Sequence, residues 1–408
     1  MPQALKILLS LFALTIGLTQ NISHAEPASK GRPTLRDSLC LNVKFSQGQP
    51  LTQLPILADL GVGWVRDNVD WPTLEPAINR YVGFPKEFEQ RLSYYREHDI
   101  GVVFLLAYGN AKVYPESLFG GKLGVPAEPF ARYALHVAKL MRASGVRFVL
   151  EIGNEPHNWL GSMGGNWQGK PPSPWLDHYL NMVRSTVKTV KAFDPNIKLL
   201  TDDDMWIVHY WLMEGGLPPD IDGFAIHPYA ARPERAAVNH DTDWTRPFQV
   251  VDDNGSFASA LRRLREQARK KLGREPEIWI TEWGWEHGGK KPDGGRFSEE
   301  EIAAYLVRAY VLAAANGVPH TCWFSAQDSV DGPMGLIDNQ GRIRRAYAAL
   351  KNLSLELGDY RFEAQVQGQN TPTSGPQAFL FRHPESGARK TVHWNSDNSQ
   401  APQISLTQ

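Results

Sequence analysis

The chain has 408 residues, a formal net charge of −1 and 42% hydrophobic residues, a composition typical of globular proteins. A charge this close to zero excludes an electrostatic basis for binding nucleic acid or an anionic membrane surface. The length allows one large domain or two ordinary ones, and either could bury a hydrophobic core.

The first 25 residues are typical of a secretory signal peptide. Lys6 precedes an apolar run over residues 7–18, and the small residues of Ser23-His24-Ala25 follow it. The run is shorter than the roughly 20 residues that cross a bilayer, which favours cleavage near Ala25 over retention as an anchor. No later stretch of the sequence predicts a membrane span. We expect a soluble monomer that is secreted or periplasmic.

Along the rest of the chain, short apolar runs typical of strands alternate with longer amphipathic stretches typical of helices. This alternation predicts eight strand–helix units. The predicted strands cover residues 41–45, 62–69, 101–107, 147–152, 197–201, 221–226, 277–281 and 321–325. The predicted helices cover 51–60, 85–98, 129–144, 175–193, a short segment before residue 221, 257–272, 299–316 and 347–357.

Strands that alternate with helices form a parallel sheet with helices on its faces, so the fold class is α/β. Eight units predict a closed (β/α)8 barrel, the TIM barrel, over residues 31–358. The alternative is an open doubly wound sheet, which carries a glycine-rich phosphate-binding turn after its first strand. The segment after the first strand, "SQGQP", lacks that fingerprint. The barrel is therefore favoured.

Residues 359–408 have a different pattern, in which short alternating runs lie between polar turns. The runs "RFEAQVQ", "QAFLFRH", "KTVHW" and "QISL" predict strands. A segment of about 50 residues is too small to be counted on as an independent domain. We expect a small β-rich C-terminal appendage docked on the barrel.

Two cysteines occur, Cys40 and Cys322. Closure of the barrel makes the first and eighth strands neighbours, so both cysteines fall near the bottom of adjacent strands. A disulfide is one hypothesis, because an exported protein meets an oxidising compartment. Two buried free thiols are the alternative.

Two glutamates stand at strand ends, where the catalytic groups of such barrels lie. Glu155 follows the fourth strand in "EIGNEP", and Glu282 ends the seventh in "EIWITEWGW". Strands four and seven lie on opposite sides of the barrel mouth. Facing carboxylates suit glycoside hydrolysis, because one must donate a proton and the other must attack or activate water in ionised form. For either glutamate alone, helix capping or a surface position is the alternative.

Other acidic residues have structural explanations. Glu151 lies inside the fourth strand, and a buried Glu is rare unless it is paired, so Arg66 is a candidate partner. Asp202-Asp203-Asp204 ends the fifth strand, where capping of the next helix is favoured over a metal site. The sequence has no His-Glu-x-x-His motif, Cys/His cluster or Gly-x-Ser-x-Gly elbow. We therefore expect no metal and no cofactor.

Further motifs occur in order on the predicted strands: "WVRDNVDW" on the second, "HPY" on the sixth and "CWFSAQD" on the eighth. "GLIDNQGRIRRAYAAL" leads into the final helix. Together with "GNEP" and "TEWGW", they resemble the clan A glycoside hydrolases, the 4/7 barrel superfamily, over residues 38–357. The third strand, "VVFLLAYGN", lacks the histidine of cellulase-like members. The resemblance therefore leans towards the family 39 group of β-xylosidases and bacterial exopolysaccharide endoglycosidases.

The resemblance implies a retaining mechanism with Glu155 as acid/base and Glu282 as nucleophile. It implies that Asn154 hydrogen-bonds the sugar 2-hydroxyl. Tyr229 would donate a hydrogen bond to Glu282, and Arg66 would place positive charge beside it, both of which favour the ionised nucleophile. Neutralisation of the buried strand glutamate alone is the alternative role of Arg66.

The resemblance also places His227, of the "HPY" pair, in the site, and makes Trp323 the floor under the sugar ring. Each could instead be a core residue. The long glycine-rich loop over residues 157–174 carries Trp159, and Trp283 follows the predicted nucleophile. Long loops in compact domains are usually functional or disordered, and tryptophan rings can stack on sugars. The number of tryptophans near the mouth predicts a cleft for a chain of sugars.

The prediction is therefore an endo-acting retaining glycosidase whose partner is a polysaccharide or oligosaccharide. An exo-acting β-glycosidase such as a β-xylosidase is the alternative within the class. A carbohydrate-binding protein on an inactive barrel is the alternative outside it.

Overall fold

The computed structural model describes residues 33–115, 125–165, 167–238 and 243–407. The predicted signal peptide, residues 1–25, lies outside the described residues. Among the residues that the structure describes, no helix combines the length and the apolar character needed to cross a membrane.

Eight parallel strands close into a barrel in chain order, and the last pairs with the first. This confirms the predicted (β/α)8 fold. The strands are β1 (Leu39–Asn42), β2 (Trp64–Asp67), β3 (Gly101–Leu106), β4 (Phe148–Ile152), β5 (Leu199–Asp203), β6 (Gly223–Ile226), β7 (Glu277–Trp283) and β8 (Thr321–Trp323).

Helices surround the barrel. They are α1 (Leu35–Ser38), α2 (Pro55–Leu60), α3 (Trp71–Leu74), α4 (Lys86–Glu97), α5 (Ala127–Ser144), α6 (Pro174–Phe193), α7 (Trp206–Glu214), α8 (Phe257–Leu272), α9 (Glu299–Ala315) and α10 (Arg345–Leu357). Their ends follow local chemistry: Ser298 and Glu301 form a capping box at the start of α9, and Gly273 ends α8 with a φ of 69°.

The lower part of the barrel interior holds one buried side chain from each strand. These are Cys40, Trp64, Val103, Val149, Leu200, Ala225, Trp279 and Cys322. Side chains two residues apart share one face of a strand. The residues two positions further along each strand therefore form the next interior layer, which leads up to the mouth. That layer is largely polar, with Asn42, Arg66, Leu105, Glu151, Asp202, His227, Thr281 and Phe324.

Cys40 and Cys322 form a disulfide inside this lower layer, which settles the choice between a disulfide and free thiols. The two residues are register partners on β1 and β8. Because these strands close the barrel, the disulfide covalently joins the first strand to the last across a sequence separation of 282 residues.

The C-terminal segment forms a four-stranded antiparallel sheet, as expected for a β-rich appendage. Its strands are β9 (Arg361–Gln367), β10 (Pro376–Arg382), β11 (Arg389–Asn395) and β12 (Gln403–Thr407), in the order β12-β11-β10-β9. Phe379, Phe381, Val392 and Trp394 are buried and belong to the same hydrophobic cluster as the barrel helices. The sheet therefore packs on the barrel through one apolar face.

Candidate active site

The turn after β4 places Glu155 at the barrel mouth. Gly153 has a φ of 80° and Glu155 has a φ of 43°, a left-handed conformation that is unusual for a residue with a side chain. The backbone N–H of Glu155 donates to Asp202 Oδ2 at 2.6 Å. A π-helix (His157–Ser162) begins two residues later. Such strained conformations are kept where surrounding contacts hold them, as they often are at functional sites.

Arg66 joins the predicted site residues through its whole guanidinium group. Nε donates to Glu151 Oε2 at 2.6 Å, and Nη1 donates to Glu282 Oε1 at 2.5 Å. Nη2 donates to Asn154 Oδ1 at 2.6 Å. The two alternative roles of Arg66 are therefore combined: it pairs with the buried strand glutamate and contacts Glu282 at the same time.

Glu282 receives hydrogen bonds on both carboxylate oxygens. The hydroxyl of Tyr229 donates a hydrogen bond to Oε2 at 2.9 Å, and Arg66 donates one to Oε1. Burial, and the nearby carboxylate of Glu282, raise the pKa of Tyr229 well above its ordinary value, so its hydroxyl keeps the proton that it donates. The carboxylate is oriented from two sides and is 8% exposed, at the base of a cavity.

His227 lies among four carboxylates and is fully buried. Its Nδ1 is 2.9 Å from Glu155 Oε1 and 3.7 Å from Glu282 Oε2. Its Nε2 is 3.1 Å from Asp202 Oδ1 and 4.0 Å from Glu151 Oε1. Burial lowers the pKa of His227, but the negative charges around it outweigh burial and raise the pKa well above its ordinary value.

Glu155 is the most exposed of these four carboxylates, with 19% of its side chain accessible. Burial raises its pKa, but the hydrogen bond and positive charge of His227, and a hydrogen bond from Asn158, lower the pKa to about 2. In the free protein, the proton of the Glu155–His227 pair is therefore held mainly by the imidazole.

One oxygen of Glu155, one oxygen of Glu282 and one nitrogen of His227 lie within 4.8 Å of one another. The two glutamates predicted from strand ends are thus brought together across the mouth, with the imidazole beside both. This arrangement can supply a proton at Glu155 and a carboxylate nucleophile at Glu282.

The three aspartates at the end of β5 do not act simply as a helix cap. Asp203 does accept the backbone N–H of Met205, at 2.8 Å, just before α7. It also contacts His157 Nδ1 at 2.9 Å, and Asp204 contacts the same nitrogen at 3.1 Å. Asp202 instead reaches into the active site. The run of three acidic residues was the signal in the sequence for this network.

Three groups of described residues are compact enough to be considered as metal ligands. They are Glu151 with Asp202 and His227, Glu155 with His227 and Glu282, and His157 with Asp203 and Asp204. In the first two, the guanidinium of Arg66 already contacts a carboxylate of the group. In these two groups the guanidinium of Arg66 therefore balances carboxylate charge that a metal would otherwise balance. That the reaction needs no metal or cofactor stays a prediction.

A cavity of about 390 Å³ opens above the two glutamates. Besides the predicted residues Arg66, Asn154, Glu155, Tyr229 and Glu282, its wall contains Asn42, Val43, Lys44, Ser46, Gln47, Asp67, Asn68, Asp70, Leu105, Tyr108, Phe324, Asp331 and Met334. The sequence prediction missed these additional residues. For three of them, Asn42, Leu105 and Phe324, the usable signal was the alternation of side chains along the first, third and eighth strands, which turns them inwards once the inner face of each strand is known.

Lys44 is a buried cation in this wall. Its Nζ lies 2.9 Å from Asp331 Oδ2 and 3.9 Å from the centre of the Phe324 ring. Burial lowers the pKa of Lys44, and the salt bridge with Asp331 opposes that effect. Lys44 and Phe324 thus shape the side of the cavity between β1 and β8.

Three of the predicted sugar-binding tryptophans pack in the core. Trp159, Trp283 and Trp323 are 4%, 0% and 1% exposed. Trp323 follows Cys322, which faces the barrel interior, so the alternation of side chains turns Trp323 outwards. There its ring centre lies 5.8 Å from that of Trp285. Phe324 lies on the cavity wall in its place. The predicted contacts of the three tryptophans with sugar stay predictions.

Solved structures of glycoside hydrolases share this fold. A family 39 glycoside hydrolase from the gut symbiont Bacteroides cellulosilyticus WH2 matches 90% of this chain and 71% of its own, with a TM-score of 0.68 and 20% identity. Xylanase 10B from Thermotoga maritima matches 78% of this chain and 95% of its own, with a TM-score of 0.51 and 17% identity.

The β-galactosidase from Marinomonas ef1 matches 79% of this chain with a TM-score of 0.55 and 12% identity, but only 59% of its own length is covered. No protein-family model matches the sequence, and a search of curated proteins gave no match. The motif-based resemblance to family 39 is thus accompanied by similarity of fold.

Proposed function

We propose that this chain is a retaining glycoside hydrolase that cleaves O-glycosidic bonds within a polysaccharide. The observation that carries the proposal is the approach of Glu155 and Glu282, whose nearest oxygens lie within 4.8 Å across the cavity. Retaining enzymes hold their two carboxyl groups roughly 5–5.5 Å apart, whereas inverting enzymes need about 6.5–9.5 Å to admit a water. The short separation supports retention.

In this mechanism Glu282 attacks the anomeric carbon while the bond to the leaving oxygen breaks. Glu155 gives its proton to that oxygen. Water then attacks the anomeric carbon of the glycosyl–enzyme and gives a proton back to Glu155, while the bond to Glu282 breaks and releases it as a carboxylate. The hydrogen bonds from Arg66 and Tyr229 hold Glu282 in place for both attacks.

The proton of the first step is stored beside the acid. His227 Nδ1 and Glu155 Oε1 are 2.9 Å apart, so a proton on the imidazole can pass directly to the carboxylate. Neutralisation of Glu282 by the sugar removes one of the four negative charges around His227, which favours transfer of the proton away from the imidazole.

Cleavage inside a chain is supported by the extent of the cavity. Polar groups from the segments after β1, β2 and β8 line it beyond the two glutamates, including Ser46, Gln47, Asn68 and Asp331. An exo-acting β-glycosidase such as a β-xylosidase is the second candidate, because the Marinomonas structure with a similar fold is named a β-galactosidase. An inactive carbohydrate-binding barrel is disfavoured by the intact pair of glutamates.

Two substitutions test the proposal. Glu282→Ala should abolish turnover of every glycoside. Glu155→Ala should strongly reduce turnover of substrates with poor leaving groups, and added azide should restore turnover of activated ones as a glycosyl azide of retained configuration. Glu286→Ala is the matched control, because it removes an exposed glutamate four residues beyond Glu282. Activity near that of the wild type in either catalytic variant would refute the assignment.

A panel of purified plant and bacterial polysaccharides, with products sized over time, separates the two modes of action. Early release of mixed oligosaccharides supports endo action, and release of monosaccharide from the start supports exo action. Binding across the panel without any turnover by the wild type would favour the inactive-barrel alternative.

We further propose that the protein is exported to the periplasm or secreted after cleavage near Ala25. The disulfide between Cys40 and Cys322 supports an oxidising compartment, because such bonds are rare in a reducing cytosol. N-terminal sequencing of protein recovered outside the cytoplasm tests cleavage. The mass should also rise by about two daltons on reduction, since a disulfide gains two hydrogen atoms.

A further inference from the structure

Asp202 holds two parts of the site with one carboxylate. It is fully buried at the mouth end of β5. Oδ2 accepts the backbone N–H of Glu155 at 2.6 Å, and Oδ1 lies 3.1 Å from His227 Nε2. The same side chain therefore fixes the strained backbone of Glu155 and the imidazole that contacts the Glu155 side chain.

The imidazole of His227 spans the space between two carboxylates. Its Nδ1 faces Glu155 Oε1 at 2.9 Å, and its Nε2 faces Asp202 and also Thr281 Oγ1, at 3.1 Å each. A carboxylate, an imidazole and a second carboxylate thus lie in a line. A carboxylate placed behind an imidazole fixes its orientation and favours its protonated form.

We propose that Asp202 is a positioning residue of the glycosidase described above, which keeps a proton on His227 for delivery to Glu155. The inference rests on the proposed function. In the forward step the Nδ1–H bond of His227 breaks and an O–H bond forms on Glu155, which passes its proton to the leaving oxygen. The proton released by the attacking water returns by the same route, so that the proton count is restored in each turnover.

Other charged and titratable groups lie around the proton relay formed by Asp202, His227 and Glu155. A test substitution must leave these groups unchanged. They include Glu151 from β4, Glu282 from β7, Arg66 from β2, His157 from the π-helix, Tyr179 from α6, His209 from α7, and Asp204 and Tyr229 from the loops. Asp202→Asn keeps nearly the same size and an oxygen that can accept the Glu155 N–H. Burial raises the pKa of Asp202 to about 7, so above that pH the substitution removes one negative charge beside His227 and leaves the surrounding groups in place.

The first measurement is an NMR titration of the His227 ring nitrogens in the full chain, without substrate. An opposite charge at this distance shifts a pKa by about 1–3 units, so Asp202→Asn should lower the His227 pKa by about 1 unit or more. Asp203→Asn is the matched control, because the neighbouring aspartate contacts His157 instead, and it should cause a smaller shift. The same His227 pKa in the wild type and in Asp202→Asn would overturn the proposal.

The second measurement is the pH profile of kcat/KM. Loss of the shared proton sets its alkaline limb, so Asp202→Asn should move that limb to lower pH. The same substitution in a His227→Gln background should move it no further. A uniform fall in kcat/KM with an unmoved limb would mean a purely structural role and would overturn the relay.

Failure of the proposed glycosidase function and failure of the proposed role of Asp202 give different results. A wild-type protein that cleaves no glycan refutes the proposed function, whereas the NMR titration reports on Asp202 and His227 without turnover. If Asp202→Asn does not fold, the titration of the wild type still tests whether His227 holds the proton that the relay needs. Loss of the His227 proton near the ordinary pKa of about 6.5 would overturn the relay, and retention of the proton well above it would support the relay.

Discussion

Arg66 is the residue on which the arrangement of the site depends most. Its side chain is 5% exposed, yet it donates to four side chains through three different nitrogens. A planar guanidinium suits this task because its donors point in fixed directions, whereas a lysine ammonium is a single point of charge. Arg66 thereby sets the distance between Glu282 and the strand β4 that carries Glu151.

Replacing Arg66 by methionine should destabilise the protein by about 3–5 kcal/mol, because Glu151 would be left charged and fully buried without its partner. Urea unfolding of the purified protein measures the loss. A second substitution, Glu151→Leu, should recover much of it, since an apolar pair of similar volume replaces the broken ion pair.

Arg147→Met provides the control, because Arg147 pairs with Asp99 where both side chains are exposed, and such pairs contribute about 0–1 kcal/mol. If Arg66→Met cost no more than this control, the buried pair would not be a major source of stability.

The turn between β4 and the π-helix depends on Gly153. A Cβ there would lie 3.4 Å from Tyr179 and 3.6 Å from Trp159, which is ordinary contact, so the strain of Gly153→Ala comes from its φ of 80°. That conformation costs a residue with a side chain roughly 1–2 kcal/mol. Relief of the strain would shift Asn154 and Glu155, and we expect a clear fall in kcat/KM together with the loss of stability.

Gly273→Ala is the matched control for this turn. Gly273 has a φ of 69°, has open space where a Cβ would be, and ends α8 just before β7 begins, at the opposite end of that strand from Glu282. It should lose a similar amount of stability but keep the kinetics of the wild type. Equal kcat/KM in both variants would show that the turn does not position Glu155.

Periodicity in the sequence was sufficient to predict the barrel, because eight strand–helix repeats leave few other architectures. It was also sufficient to place the two glutamates at the mouth. The direction of the Trp323 side chain was harder to predict, since one residue along a strand reverses that direction and Cys322 already faces inwards. The position of Cys322 opposite Cys40 carried that information, but only once the register of β1 and β8 was known. That Trp323 forms the floor under the sugar ring stays a prediction.

The roles of side chains outside the recognised motifs could not be predicted from one sequence. Asp202 looked like part of a helix-capping run, and only the path of the turn after β4 brings the Glu155 N–H to its carboxylate. Lys44 follows a strand without any motif around it, and its partner Asp331 lies 287 residues away. Such pairs depend on how loops from distant strands meet at the mouth.

The barrel and the C-terminal sheet are held together by a buried polar cluster as well as by apolar packing. Arg308 on α9 is fully buried and lies 3.4 Å from Glu234. The indole N–H of Trp394, on β11, donates to the same Glu234 oxygen at 2.9 Å. Arg308 also donates to the backbone carbonyls of Asn398 and Gln400, at 2.9 and 2.7 Å, beyond the end of β11. The sheet is therefore fixed to the barrel by directional contacts and is not merely an attached tail.

Arg308→Met should loosen this sheet before it affects the barrel. The substitution leaves Glu234 buried without a cation and removes the donors to two carbonyls, at a cost of about 3–5 kcal/mol. Hydrogen exchange measured by mass spectrometry should show faster exchange over β10, β11 and β12, while the barrel strands keep their protection, because elements that open locally exchange independently of the rest.

Arg389→Met, which breaks an ion pair with Glu363 within the sheet itself, should change stability by about 0–1 kcal/mol and leave exchange nearly unaltered. Simultaneous loss of protection in the sheet and the barrel would instead show that they unfold as one cooperative unit.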